Sequence, residues 1–424
     1  MDTTFLLAVG VFLASYAIII SERIHRTVVA LSGAILMILL GIINQEHAIE
    51  GVDFNTLGLL IGMMIIVGIA KDSGMFQYVA IWVSKLGRGK PVPIFMLLTL
   101  TIALFSALLD NVTTVLLMIP VTFVIANNLK IPPKGFLIGA ILLSNIGGTA
   151  TLIGDPPNIL IGSAANLSFN DFLINLAPIS LVITAVTILM LRWWYRKTLV
   201  AQPGAAEAIM AFKPAEAISD KKLLVKSLIV IGLVLAGFVT HSMTHLEGAT
   251  IALAGAALMF LLTMNDPEHH LKEVEWTTIF FFVGLFILVT GLEEVGAIRM
   301  MAEKLLEVTG GDPTATTLTV LWGSAIFSAI VDNIPFVATM IPLIKDIGAI
   351  SGLALGPLWW ALALGADIGG NATIIGASAN VVVSGMAHRE GYKLGFLEYM
   401  KVAVPMTVVA LLLCTVYVYF RYLT

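Results

Sequence analysis

Apolar runs separated by short polar connections dominate the chain, near residues 5–21, 27–43, 56–70, 92–128, 135–165 and 172–191. After a polar stretch they resume near 227–241, 249–264, 277–292, 313–350, 357–387 and 402–420. A helix needs about 20 apolar residues to cross the hydrocarbon layer, and most of these runs suit one crossing. Four do not. The 92–128 and 313–350 runs are nearly twice that length and carry Asp-Asn in the middle, which predicts hairpins that enter and turn back. The 135–165 and 357–387 runs are too long for one plain helix and contain Gly-Gly, which predicts helices broken within the membrane. Residues 106–120 read SALLDNVTTVLLMIP and residues 328–342 read SAIVDNIPFVATMIP. A carboxylate at bilayer depth costs several kcal/mol, so Asp110 and Asp332 read as functional.

The two stretches belong to a longer echo. Asp110 and Asp332 are 222 residues apart, and the same shift superposes most of the chain on itself without a gap. Residues 29–47 laid on 251–269 give 10 identities in 19. Asn111 falls on Asn333, Pro120 on Pro342, Gly147 on Gly369, Gly148 on Gly370, and Asn158 on Asn380; the register slips only later, where Pro178 pairs with Pro405. A self-match of this length marks an internal repeat. The expected domains are a first repeat at 1–192, a linker at 193–226 and a second repeat at 227–424. With one re-entrant hairpin, each repeat has five crossings, an odd number, so the two are inverted. The predicted fold class is an all-α polytopic membrane protein of two inverted repeats, each with five transmembrane helices and one re-entrant hairpin, with broken helices at the midplane.

Composition agrees. The chain is 58% hydrophobic and 12% charged, against about 25% charge in soluble domains, and its mean hydropathy is +0.99. The net charge of −4 is mild, and no basic stretch interleaves with aromatics, which speaks against nucleic acid. The single cysteine, Cys414, excludes internal disulfides and Cys-cluster metal sites and suits membrane packing. The run at 5–20 lacks a basic leader and a small-residue cleavage site, so it reads as a first helix. Of 23 Lys and Arg residues, 19 fall on one predicted side and only Arg299, Lys304, Lys345 and Arg421 on the other. By the positive-inside rule the rich side is cytoplasmic and both termini face out, as expected in a bacterial inner (plasma) membrane. The stretch 72–90 reads as interfacial. All seven histidines fall in predicted connections, which speaks against a histidine proton relay.

Inverted repeats with interrupted helices are the usual build of secondary transporters, with the site between repeats. Irregular backbone at that depth must be buried or line a wet cavity. Four breaks are expected to converge on one cavity lined by Asp110, Asn111, Thr113, Asn145, Thr149, Asp155 and Asn158. From the second repeat come Asp332, Asn333, Asp367, Asn371 and Asn380, while Gly147, Gly148, Gly369 and Gly370 permit unwinding and close approach. Asp and Asn are also preferred helix caps, and Asp155 before Pro156 and Pro157 has the form of a cap. No Lys or Arg belongs to the four breaks, so a multiply charged anion would meet carboxylates alone. A cation, a proton or a small neutral polyhydroxy solute fits better. Withdrawal from water favours the neutral form of a carboxyl group, so Asp110 and Asp332 could take up and release the coupling proton.

The two Asp-Asn hairpins, the run GGTATLIGDPPN at 147–158 and its echo GGNATIIGASAN at 369–380 resemble the ion transporter superfamily. Within it the pattern is similar to the group of arsenite permeases, NhaD-type sodium/proton antiporters and the pigmentation P protein, and it covers essentially the whole chain. The resemblance implies a homodimer, a scaffold and a mobile part carrying both hairpins, and an elevator mechanism. Dicarboxylate carriers of the superfamily bear Ser-Asn-Thr at their tips, and this chain departs from that pattern. The first expectation is proton-coupled efflux of arsenite and antimonite, serving metalloid resistance. The alternative is a sodium/proton antiporter, and a carrier of small anions or carboxylates comes third. An enzyme is not expected, since no nucleophile–His pairing, metal-ligand helix motif or phosphate loop is present. No cofactor is expected beyond the proton gradient or Na+, and no resident metal. A cytoplasmic ATPase subunit could dock on the 192–226 loop.

Overall fold

A computed structural model describes every residue except Met1, Glu22 and Asn265, and the side chain of Ser242 is also left out. All regular elements among the described residues are helical. Ten helices among the described residues are long and apolar enough to cross a membrane. Each long run is indeed two helices joined at its Asp-Asn: Pro91–Leu108 with Asn111–Asn128, and Pro313–Ile330 with Asn333–Ser351. The Gly-Gly runs are each broken in two: Lys134–Gly148 with Pro156–Ala165, and Leu355–Gly369 with Ser378–Arg389.

The 222-residue shift recurs in the helix bounds. Helices Arg26–Leu39, Phe54–Lys71 and Met75–Leu86 correspond to Gly248–Thr263, Trp276–Glu294 and Ala297–Thr309. Past the slip, where Pro178 pairs with Pro405, the short helix Phe169–Asn175 and the helix Ala177–Trp194 both fall on the one last helix, Phe396–Val418. Met75–Leu86 buries Phe76, Ala80, Val83 and Ser84 along one side and leaves Trp82 and Leu86 exposed, the pattern of a helix lying at an interface.

Two bodies emerge from the packing. In one, Phe54–Lys71 crosses Gly248–Thr263, and symmetrically Trp276–Glu294 crosses Arg26–Leu39. Glycine sets the closeness of both crossings. A Cβ on Gly62 would lie 2.5 Å from the Ala252 carbonyl carbon, and one on Gly284 would lie 2.6 Å from that of Ala30. In the other body each hairpin is fastened to the broken helix that follows it. Ser106 Oγ donates to Ser144 O and Thr151 Oγ1 to Ala107 O, both at 2.6 Å. Ser328 Oγ to Ala366 O and Thr373 Oγ1 to Ala329 O repeat this, also at 2.6 Å. The tips are thereby pinned to the unwound stretches of the broken helices, so the hairpins turn back there.

The stretch before Lys221 is not a free loop. Leu199, Ala205 and Ile209 are buried. Lys130 Nζ donates to Pro203 O at 3.0 Å and Lys85 Nζ to Phe212 O at 2.8 Å, so the linker lies against the first hairpin and its interfacial helix. The following helix starts at Lys221 with Asp220 as its cap, earlier than the apolar run at 227 indicates. Long lysine stems extend such a helix beyond the apolar run.

Candidate functional site

Four helices begin at the breaks, at Asn111, Pro156, Asn333 and Ser378, and four end there, at Leu108, Gly148, Ile330 and Gly369. Helix starts carry partial positive charge and helix ends partial negative charge, so the site contains both. The start of one repeat meets the other: Pro156–Ala165 packs on Asn333–Ser351, and Ser378–Arg389 on Asn111–Asn128.

Asparagines knit this centre together. Asn145 Nδ2 donates to Asn371 Oδ1 and Asn380 Oδ1, both at 2.9 Å, and Asn145 Oδ1 accepts from Asn111 Nδ2 at 3.0 Å. Asp155 joins the tips: its Oδ2 accepts from Asn111 Nδ2 at 2.9 Å and its Oδ1 from Asn333 Nδ2 at 3.4 Å. It occupies the cap position of its helix without a side-chain capping bond, so its carboxylate serves the two hairpins. Asn158 and Asn380 donate to backbone carbonyls of the unwound stretches, Asn158 to Thr151 O at 3.0 Å and Asn380 to Gly370 O and Thr373 O at 2.8 Å. All these side chains are buried.

Asp367 differs from the rest. It is fully buried, in the last turn of Leu355–Gly369, where the helix dipole opposes a negative charge. Among the described residues neither carboxylate oxygen has a hydrogen-bond partner. Thr149 and Asn158 face it, but Thr149 Oγ1 donates to Asn145 O at 2.8 Å and Asn158 spends its amide on backbone carbonyls. The charge of Asp367 bears on Asp155, as do those of Asp332 and Asp110. Asn111 Oδ1 and Asn158 Oδ1 are likewise buried and unpartnered. The centre thus presents oxygen atoms without donors.

The tip aspartates flank this centre, and both cap. Asp110 accepts from Thr113 N at 2.7 Å and Asp332 from Ile334 N at 3.1 Å. Asp332 has more. Its Oδ2 lies 2.9 Å from Arg26 Nη1 and accepts from Ser378 Oγ at 2.8 Å, and Arg26 also donates to Ser378 Oγ at 2.8 Å. The expectation that no cation stands at the breaks is therefore corrected. Arg26 comes from the start of another helix, with its guanidinium over the Phe281 ring, and sequence distance hid it. A cavity of about 280 Å³ opens here, lined by His25, Arg26, Asp332, Ser378 and apolar side chains. The glycines have a packing role: Gly147 lies against Ala103 and Gly369 against Ala325, while Gly148 and Gly370 face Gly154 and Gly376. Tyr399, absent from the sequence reading, is buried and donates to Asn371 O at 2.8 Å.

Paired broken helices, pinned hairpins and a buried polar centre define a multi-pass helical membrane transporter. The chain belongs to the citrate transporter family, whose profile matches residues 16–365. It is 43% identical to an uncharacterized transporter of Mycobacterium tuberculosis over 98% of each chain. It is 34% identical to the human P protein over 98% of this chain and 59% of that one. The crystal structure of the Alcanivorax borkumensis YdaH transporter shares the fold with a TM-score of 0.65 at 15% identity, covering 99% of both chains.

Proposed function

We propose that this chain is a cation-coupled secondary transporter in which Asp155 and Asp367 hold the coupling ion, and that sodium/proton exchange is its activity. One observation carries the reading: Asp367 is buried at a helix end with both oxygens unpartnered among the described residues. An uncompensated buried charge costs several kcal/mol. A proton on Asp367, or a small hard cation bound by it, Asp155 and the amide oxygens of Asn111 and Asn158, removes that cost. Oxygen-only ligands suit such cations. Proton and Na+ would then compete for one site, which is the condition for exchange. The tips, first assigned the proton, take a gating role here, with Asp332 held by Arg26 and Asp110 capping its helix.

The two bodies suggest how the ion is carried. The hairpins and broken helices travel together along the crossed helix pairs in an elevator movement, and the lysine-rich face is the cytoplasmic one. A second reading, proton-coupled efflux of arsenite or antimonite, is favoured by the 280 Å³ cavity, whose ionic and hydroxyl walls suit an uncharged trihydroxide. Free citrate is disfavoured, because the one guanidinium is already paired with Asp332. Proteoliposomes with a trapped pH dye separate these readings. Proton flux on adding Na+ is expected. Flux on adding arsenite alone would replace sodium by the metalloid, and silence to both would overturn cation coupling.

A further inference from the structure

A second constellation of ligating side chains lies outside the asparagine centre. Asp72 follows the end of helix Phe54–Lys71, and His269 and His270 sit on the short helix Pro267–Leu271. One ligand atom from each of the three lies within 4.8 Å of the others. Glu273 stands beside this group: its Oε1 is 3.9 Å from His269 Nε2 and its Oε2 is 3.6 Å from His270 Nδ1. We propose that Asp72, His269, His270 and Glu273 form a binding site for one divalent transition-metal ion, of the class of Zn2+ or Co2+, joining the two repeats.

Three features support this. Two imidazoles with two carboxylates is a ligand set that suits borderline first-row cations and contains no thiolate for softer ones. Glu273 Oε2 is shielded from solvent and has no hydrogen-bond partner among the described residues, while Oε1 is already held by Lys71 Nζ at 2.7 Å. The lysine fixes the carboxylate and leaves one oxygen for an ion. Gly68 makes room for it, since a Cβ there would lie 2.9 Å from Glu273 Oε2. Tetrahedral ligands around Zn2+ stand about 2.0–2.2 Å from the metal, so an ion here would draw these side chains closer together. The position is a joint: Asp72 belongs to the first repeat, the other three ligands belong to the second, and Asp72 O also accepts from Ser219 Oγ of the linker. An ion here would staple the ends of two helices to the stretch connecting the repeats. None of these residues takes part in the asparagine centre, so the site stands or falls independently of the coupling proposal.

The test uses the full chain in detergent, with any histidine tag removed and the protein stripped by chelator. Zn2+ is titrated by calorimetry, and Co2+ by its visible absorption, with Mg2+ as the contrasting ion. One Zn2+ per chain is expected, with Co2+ bands of tetrahedral intensity and no comparable heat from Mg2+. Asp72 and His269 are exposed, so Asp72→Asn and His269→Ala should fold normally, and each should weaken Zn2+ binding by about tenfold or more. Native affinity in both variants, or no Zn2+ binding by the native chain, would overturn the proposal.

Discussion

The two hairpin tips share the Asp-Asn turn and each starts a helix at its asparagine, yet they do different things. Asp110 caps its helix and makes no ion pair among the described residues. Asp332 caps its helix and also holds Arg26 and Ser378. The repeat explains the difference, since the counterpart of Arg26 is Gly248 and that of Ser378 is Pro156. The first tip therefore has nothing to latch onto. The same asymmetry runs through the centre. Asp367 answers to Asn145, and Asp155 answers to Ala377, so each repeat supplies one buried carboxylate at a different place. Repetition builds two matching frames, and the departures from repetition create one pair of buried carboxylates and one ion pair at a tip.

Exchanging the asymmetric residues should break function most. Asp367→Asn is expected to lower coupled transport by about two orders of magnitude, since loss of a partner that merely orients a ligand already costs about 10–100-fold. The thermal unfolding temperature should hold or rise, because an uncompensated buried charge is removed. Asp155→Asn should lower transport similarly. Wild-type proton flux in either variant would remove that residue from the coupling pair. Next comes Asn145→Ala, which removes three hydrogen bonds at the node of the network. At about 1 kcal/mol each, a loss near 3 kcal/mol is expected by denaturation. The matched Gly62→Ala and Gly284→Ala should each cost about 1–3 kcal/mol by overpacking, and nearly equal losses would show that the two crossings are equivalent. The smallest effect is expected from Arg26→Gln. It should shift transport by about tenfold or less while leaving Na+ binding intact, and a double-mutant cycle with Asp332→Asn should show coupling between the two residues. Independent effects would mean that the ion pair does not act as a latch.

Much of the frame was legible in the sequence. Membrane crossings follow from apolar length, and both Asp-Asn turns and both Gly-Gly breaks appear as interruptions in runs too long for one helix. The 222-residue echo anticipates the paired helices. The chemistry of the centre was read less well, because a hydrogen-bond network depends on which side chains meet across the repeats. Asp155 looked like a cap before two prolines, but its oxygens go to Asn111 and Asn333. Arg26 lies 306 residues from Asp332 and outside every break, and nothing in the sequence around it marks that encounter. Asp72 and the two histidines meet only because two distant helix ends are packed together. The glycines of the breaks also serve packing, Gly147 and Gly369 against a neighbouring helix and Gly148 and Gly370 against the unwound stretch that follows them.

The most direct test of the central claim is proton release on sodium addition to the purified protein, read with a pH-sensitive dye in weakly buffered detergent solution. The account predicts that Na+ displaces protons from the native chain and from Arg26→Gln, and that Asp367→Asn releases none. Undiminished release from Asp367→Asn would contradict the assignment of the coupling ion to the Asp155–Asp367 pair.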